Sequence, residues 1–196
     1  PSATRMADMA KRFGTTIVAG YPERCGDALH NAVMVCGVDG KRLLNYRKRV
    51  IPPGFEGTYF TPGDSAGLFE LNGWKLAVLI CYDVEFPEYV RQAALDGADM
   101  IIAPTALRSM WGFVADTMLP TRAFENGVYV LYANHAGMEG NCEYLGRSVI
   151  LGPDGKEHAR AGGGEALISA TLARSAVLAA RATLPYVDVV RGGLPG

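Results

Sequence analysis

The stretch Lys75–Arg91, K-L-A-V-L-I-C-Y-D-V-E-F-P-E-Y-V-R, leaves this chain few choices of fold. Leu76 to Ile80 is an unbroken apolar run of strand length, which suits a strand buried on both faces. Pro87 and Glu88 then open a helix: a first-turn proline surrenders no hydrogen bond, and a carboxylate there meets the positive end of the helix dipole. A buried strand passing at once into a helix is the repeating unit of an α/β sheet with helical crossovers. Cys81 stands at the junction, at the strand's carboxyl end, where backbone N–H groups converge. A thiol in that place can be drawn toward thiolate below its free pKa of about 8.5. Most unpaired cysteines are instead small buried hydrophobes, and this stretch alone leaves both readings standing.

The rest of the chain agrees with the class. Ser2 caps a predicted helix with Met6, Met9, Ala10 and Phe13 on one face and Gly14 as its stop. Thr15 to Gly20 and Ala32 to Val38 are predicted strands. The turn Val38-Asp39-Gly40-Lys41 leads into a third, Leu43 to Arg47. Ile51 to Gly67 is a Pro/Gly-rich loop too long for a simple connection. After the Cys81 strand come a helix from Pro87 to about Asp96, a strand Met100–Ala103, a helix around Asp116 to Asn126 and a strand Val128–Ala133. The last third is predicted as β: Ser148 to Leu151, a turn at Pro153-Asp154-Gly155, and Ala166 to Leu172. Arg174 to Gly196 is a weakly patterned tail. Hairpins at both ends make a mixed rather than a purely parallel sheet.

Lys plus Arg is 19 and Asp plus Glu is 20, so the net charge of −1 recommends neither nucleic acid nor an anionic membrane as partner. No apolar run approaches the roughly 20 residues that span a bilayer. Cys25, Cys36, Cys81 and Cys142 lie far apart without a C-x-x-C pair or clustered histidines. A metal site is not expected, and a reducing cytoplasm is the expected compartment. The 196 residues, 49% hydrophobic, suffice for a single domain. Because the chain opens on Pro1 with an amphipathic helix at once, its natural beginning is expected to lie upstream.

A thiolate that attacks a carbonyl or nitrile needs a base and an oxyanion stabiliser. Lys48, ending its strand before the long loop, is one candidate, although a strand-end lysine is more often a solvated charge. Glu56, in Pro-Gly-Phe-Glu-Gly, is by the same token more often a loop carboxylate facing water. Converging with Cys81, they would change character: the ammonium favours the thiolate, and the carboxylate orients the ammonium. Trp111, Tyr82, Tyr59 and Phe60 are candidates to wall a small pocket. Arg122, Glu125 and Asn126 read as a structural cluster, Asp83 and Glu88 as caps for the helix after Cys81, and His135 as a loop histidine.

Taken together these segments resemble the nitrilase superfamily of carbon–nitrogen hydrolases. Tyr46-Arg47-Lys48 is similar to its lysine motif, Gly54-Phe55-Glu56 to its second-glutamate turn, and Cys81 through Glu88 to its nucleophile motif. Arg122-Ala123-Phe124-Glu125-Asn126 and Asn134-His135-Ala136-Gly137 resemble R-A-x-E-N and N-x-x-G. Gly146-Arg147-Ser148 with Pro153-Asp154-Gly155 resembles its G-x-S…P-x-G close. The motifs stand in order, with Lys48 and Cys81 33 residues apart.

The resemblance implies an α/β αββα sandwich, with mixed sheets, helices outside and the first strands absent, in one carbon–nitrogen hydrolase domain over 1–196. It implies a Glu-Lys-Cys triad in a thiol hydrolase that cleaves a non-peptide C–N bond of a small amide through a thioester and releases ammonia. Cys81 would be the nucleophile, Lys48 and the Tyr82 N–H the oxyanion stabilisers, and Glu56 their support. Tyr82, Trp111 and Tyr59 would touch substrate. No cofactor is implied, and a homo-oligomer is. One departure matters: the family's general-base glutamate lies upstream of the lysine motif, on a strand not seen here, and Glu23 reads as structural or surface. Nitrile or carbamoyl hydrolysis, and a binding relative without turnover, are the alternatives. A papain-like pairing of Cys81 with His30, His135 or His158 leaves the lysine and glutamate motifs unexplained. A glutaminase-type elbow expects glycines beside the cysteine, and a redox role expects a nearby resolving thiol.

Overall fold

The computed structural model describes residues 2–193. The chain forms two compact units, Pro1–Phe69 and Glu70–Gly196.

The first unit is a helix on a three-stranded antiparallel sheet. Helix α1 (Ser2–Phe13) lays Ala3, Met6, Ala7 and Ala10 against Ile17, Tyr21, Met34 and Cys36, the three- and four-residue spacing of one helical face. It begins at Ser2 itself and stops at Gly14, whose φ of +58° suits a residue without Cβ. Strands β1 (Ile17–Cys25), β2 (Ala28–Cys36) and β3 (Arg42–Arg47) follow in spatial order. β1 and β2 extend further toward their shared turn than expected, because Pro22 and Glu23 stay in the ladder opposite Asn31 and His30. Register sorts the side chains. Tyr21 lies opposite Ala32, Ala32 opposite Arg47, and Met34 opposite Asn45, so Tyr21, Glu23, Asn45 and Arg47 share the face that α1 covers. The other face carries Val33, Val35 and Tyr46, all fully buried. The long loop contains a one-turn helix, α2 (Phe55–Tyr59).

The second unit is built on a six-stranded mixed sheet. Its strands are β4 (Leu68–Leu71), β5 (Trp74–Val78), β6 (Met100–Thr105), β7 (Tyr129–Asn134), β10 (Val149–Leu151) and β11 (Glu157–Arg160), in the order β11-β10-β7-β6-β5-β4. β5, β6 and β7 run parallel, joined by α3 (Pro87–Leu95) and by α4 (Leu119–Asn126). Their Ala77, Val78, Ile101, Ala103 and Val130 are at most 2% exposed, as expected for strands covered on both faces. A small hairpin, β8 (Ala136–Glu139) with β9 (Cys142–Leu145), leaves the top of β7.

Three expectations for this half are corrected. Ala166–Leu172 is not a strand: both edges of β10 are taken, by β7 and by β11, and Leu167 is 97% exposed. The turn after β10, closed by a Gly155 N–H to Gly152 O bond of 2.9 Å, delivers Glu157–Arg160 to that edge first. The expected helix at Asp116 divides into a π-helical turn at Val114–Met118 and α4. The weakly patterned tail forms two helices, α5 (Arg174–Thr183) and α6 (Tyr186–Arg191). Buried Asp99 anchors α5, accepting from Arg174 Nε at 2.8 Å and from the Lys75 amide at 3.2 Å, while Arg181 donates to Ala98 O at 2.6 Å. Leu194 to Gly196 of that tail lie outside the described residues.

Candidate active site

In the first unit, β3 ends by turning Lys48 to the face opposite Arg47. The Lys48 amide donates to Asn31 O at 2.8 Å, so the ladder continues past the strand's formal end and the alternation holds. The Lys48 side chain is 0% exposed, which overturns the reading of a solvated charge. Its Nζ donates to both carboxylate oxygens of Glu56 at 2.8 Å, and Asn31 Nδ2 donates to Glu56 Oε2 at 3.0 Å. A buried ammonium persists only when a charge partner and hydrogen bonds replace its water. α2 supplies that partner because Gly54, at φ 94° and ψ −135°, turns the loop inward just before Glu56. Gly63 donates its amide to Lys48 O at 2.8 Å, and a Cβ there would fall 2.5 Å from Arg47 O, so the loop can close on the strand only at a glycine. Asn31 went unread in the sequence, although an asparagine inside the buried strand A-L-H-N-A-V-M-V was a signal that something polar waits for it.

Glu23 lies on the other face. It takes a bidentate pair from Arg47 (Nε to Oε2 at 2.7 Å, NH2 to Oε1 at 3.0 Å) and a third bond from Asn45 Nδ2 at 3.0 Å. Tyr21 completes the network with a 2.6 Å bond to Asn45 Oδ1. The Arg47 hydrogen bonds, foremost, hold the Glu23 carboxyl below the ordinary glutamate range. This agrees with the structural reading of Glu23. A lowered native pKa adds stability that is complete above the unfolded value, about 4.3, and is lost as pH falls through the native value. Glu23→Gln is therefore expected to cost about 1 kcal/mol at neutral pH. Urea titrations at pH 7 and near pH 3 should show that cost shrinking with acid, while any catalytic rate stays as in the wild type.

In the second unit, the apolar run ends as expected at Cys81, but the backbone there was not foreseen. Cys81 has φ +47° and opens a 3-10 turn, Cys81–Glu85. A non-glycine residue in the left-handed region is uncommon and costs about 1–2 kcal/mol. The neighbours that hold it there are visible. Asp83, fully buried, does not cap α3: its Oδ2 reaches back to the Ile80 amide at 3.0 Å, while its own amide donates to Ile80 O at 3.0 Å. Arg122 of α4 donates NH2 to Glu85 O at 2.7 Å and NH1 to Glu125 at 3.1 Å. Asn126 Nδ2 bonds Arg122 O at 2.9 Å. The R-A-x-E-N segment is thus a structural cluster, as read, and what it supports is the turn that carries Cys81. Asn134 works likewise at the end of β7. Its side chain accepts from the Leu107 amide at 2.8 Å and donates to Gly146 O at 2.7 Å, and its amide donates to Ser148 Oγ at 2.9 Å. His135 stacks edge-on to Tyr144 at 4.5 Å, a loop histidine as expected.

The aromatic candidates differ. Tyr82 sits edge-to-face with Phe86 at 5.0 Å. Trp111, in a 3-10 turn at Ser109–Trp111, is 56% exposed. Tyr59, in the first unit, is 59% exposed and packs on Phe55 at 5.0 Å. Among the described residues there is no His/Cys/Asp/Glu group fit to hold a metal, no disulfide, and no helix long and apolar enough to cross a membrane.

Comparison with known proteins supplies the context for these two halves. The family profile for carbon-nitrogen hydrolases matches residues 1–182. The "Hydrolase in pqqF 5'region" of Pseudomonas protegens is 47% identical over 96% of this chain and 67% of its own length. A nitrilase of Pyrococcus abyssi is 36% identical over 78% of this chain and 56% of its own. The chain thus spans between 56% and 67% of the length of these two relatives. A mutant of the amidase from Nesterenkonia sp. AN1, in which acrylamide has added to the active site cysteine, superposes with a TM-score of 0.85 at 33% identity, over 94% of this chain and 73% of that one.

Proposed function

Because this chain belongs to the carbon–nitrogen hydrolase family, we propose that it cleaves the C–N bond of a small amide, with Cys81 as nucleophile. The Cys81 thiolate attacks the amide carbon, and the carbonyl oxygen takes up negative charge. The Lys48 ammonium and the Tyr82 N–H receive that charge. Collapse of the adduct breaks the C–N bond and releases ammonia, leaving an acyl thioester, and water then cleaves the thioester to a carboxylic acid. Glu56 keeps Lys48 charged and aimed. The proton transfers require a carboxylate other than Glu23, which is engaged with Arg47 on the face away from Lys48. Tyr82, Trp111 and Tyr59 are assigned to the substrate's acyl group, and a homo-oligomeric, cytoplasmic enzyme belongs to the same proposal.

The observation that carries this reading is the backbone of Cys81. A left-handed cysteine costs stability wherever it occurs, and here Asp83 and Arg122 brace the turn that keeps it so. A merely buried cysteine needs no such bracing. Nitrile hydrolysis is the second reading, favoured by the similarity to the Pyrococcus nitrilase. The test is a panel of small amides, nitriles and carbamoyl compounds assayed for ammonia, with mass spectrometry of the Cys81 peptide after quenching. An acyl adduct on Cys81 from an amide, with ammonia released, is the expected result. Turnover without any adduct at Cys81 would overturn the assignment.

A further inference from the structure

Tyr132 is a buried polar group of the second unit that the mechanism above does not use. Tyr132, on β7, is 2% exposed, and its hydroxyl has no hydrogen-bond partner among the described residues. Leaving a phenol hydroxyl unpaired in the interior costs stability, which phenylalanine in the same place would avoid. Thr105 is the polar side chain near it, and its hydroxyl, which also reaches Ala103 O at 3.1 Å, is the group that competes for the phenol.

Strand register shows where this hydroxyl belongs. Ala77 of β5 pairs with Ile101 of β6, and Ile101 pairs with Val130 of β7. Two residues on, Leu79, Ala103 and Tyr132 therefore share one face of the sheet, with Ala103 directly opposite Tyr132. The ladder continues to that level, because the Leu79 amide donates to Ile102 O at 3.1 Å. Cys81 follows Leu79 by two residues. On β6, the strand between β5 and β7, the residue at the level of Tyr132 is the small Ala103. Burial first, and then the charge of a Cys81 thiolate, push the Tyr132 hydroxyl above the ordinary tyrosine range, with Glu85 adding to the rise and Thr105 opposing it. Around this turn Asp83 is turned back to the Ile80 amide and Arg122 is bonded to Glu85 O.

We propose that Tyr132 is a positioning residue for the nucleophile: its buried hydroxyl is the donor that turns to the charge on the Cys81 sulfur and holds the thiolate before substrate arrives. The proposal rests on Cys81 being the nucleophile. It does not rest on which amide is cleaved.

The test is the rate of Cys81 alkylation by iodoacetamide against pH, read by mass spectrometry of the Cys81 peptide so that Cys25, Cys36 and Cys142 do not contribute. In Tyr132→Phe the midpoint is expected to rise by about one pH unit, since a hydrogen bond to a charged group is lost, while the folded far-ultraviolet spectrum is kept. Replacing Tyr132 by 3,5-difluorotyrosine keeps the ring and makes its hydroxyl a stronger donor, so the midpoint is expected to fall. A midpoint unchanged in both variants would overturn the proposal. Alkylation needs no turnover, so the two readings fail separately. Ammonia release with unmoved midpoints removes the role of Tyr132 and leaves the hydrolase. Shifted midpoints without ammonia release from any amide leave Tyr132 in its role and remove amide hydrolysis.

Discussion

Cys81→Ala and Cys81→Gly are both expected to abolish ammonia release, and to part company in stability. Loss of an attacking atom typically costs on the order of 10⁴- to 10⁶-fold in kcat, with substrate binding largely kept. Alanine inherits the left-handed backbone at φ +47°, whereas glycine adopts it without a Cβ clash. The glycine variant should therefore be the more stable of the two by about 1 kcal/mol, and at least as stable as the wild type. Thermal melts of the three proteins beside an ammonia assay measure both effects. If glycine proved less stable than alanine, the conformation would not be strained, and the strongest structural argument for Cys81 as nucleophile would go with it. Cys25 and Cys142, which lie in strands without a left-handed backbone, should tolerate serine without loss of turnover.

The second large effect concerns the pair beneath β3. Glu56→Leu removes the carboxylate from a lysine whose side chain is 0% exposed, while Glu56 itself is 23% exposed. Breaking a buried pair from one side leaves an uncompensated charge, and the expected cost is about 3 kcal/mol. Asn31 then also loses its acceptor. In the double variant Lys48→Met/Glu56→Leu the charge itself is gone, and most of that cost should return, because apolar groups of similar size often replace a buried ion pair without penalty. Catalysis should not return with it. Both variants should lose on the order of 10²- to 10³-fold or more in kcat: the single variant because no carboxylate aims Lys48, the double because the proposed mechanism has lost the cation that meets the oxyanion. Urea unfolding midpoints and ammonia release on the same preparations separate the two quantities. Recovery of turnover in the double variant would show that Lys48 serves the fold alone.

These expectations draw on different amounts of foresight. The main strands and helices from Thr15 to Leu151, though not α2, β4 or the β8–β9 hairpin, were legible because their signals are local: apolar runs of strand length, glycine stops, and Pro87 at a first turn. Cys81, Lys48 and Glu56 could likewise be named from motifs. Failures came where a partner elsewhere decided the outcome. Ala166–Leu172 has a composition suited to a strand and no open edge of β10 to join. The tail helices α5 and α6 have weak patterns of their own, and α5 is fastened by Asp99 and Ala98, 75 and 83 residues earlier in the chain.

The amino-acid sequence by itself determined the class of fold, because hydrophobic period and turn chemistry act over a few neighbours, and its ordered motifs carried the resemblance to the family. Only the tertiary structure decided what the residues of those motifs are. It made Lys48 a fully buried ammonium rather than a surface charge, and put Glu23 and Lys48 on opposite faces of one sheet. It also bent Cys81 into a conformation that cysteine avoids alone and buried the polar side chain of Tyr132 on β7. The physical reason is the same each time. Burial, register and backbone strain depend on which segments pack together, and no residue carries that information in its own neighbourhood.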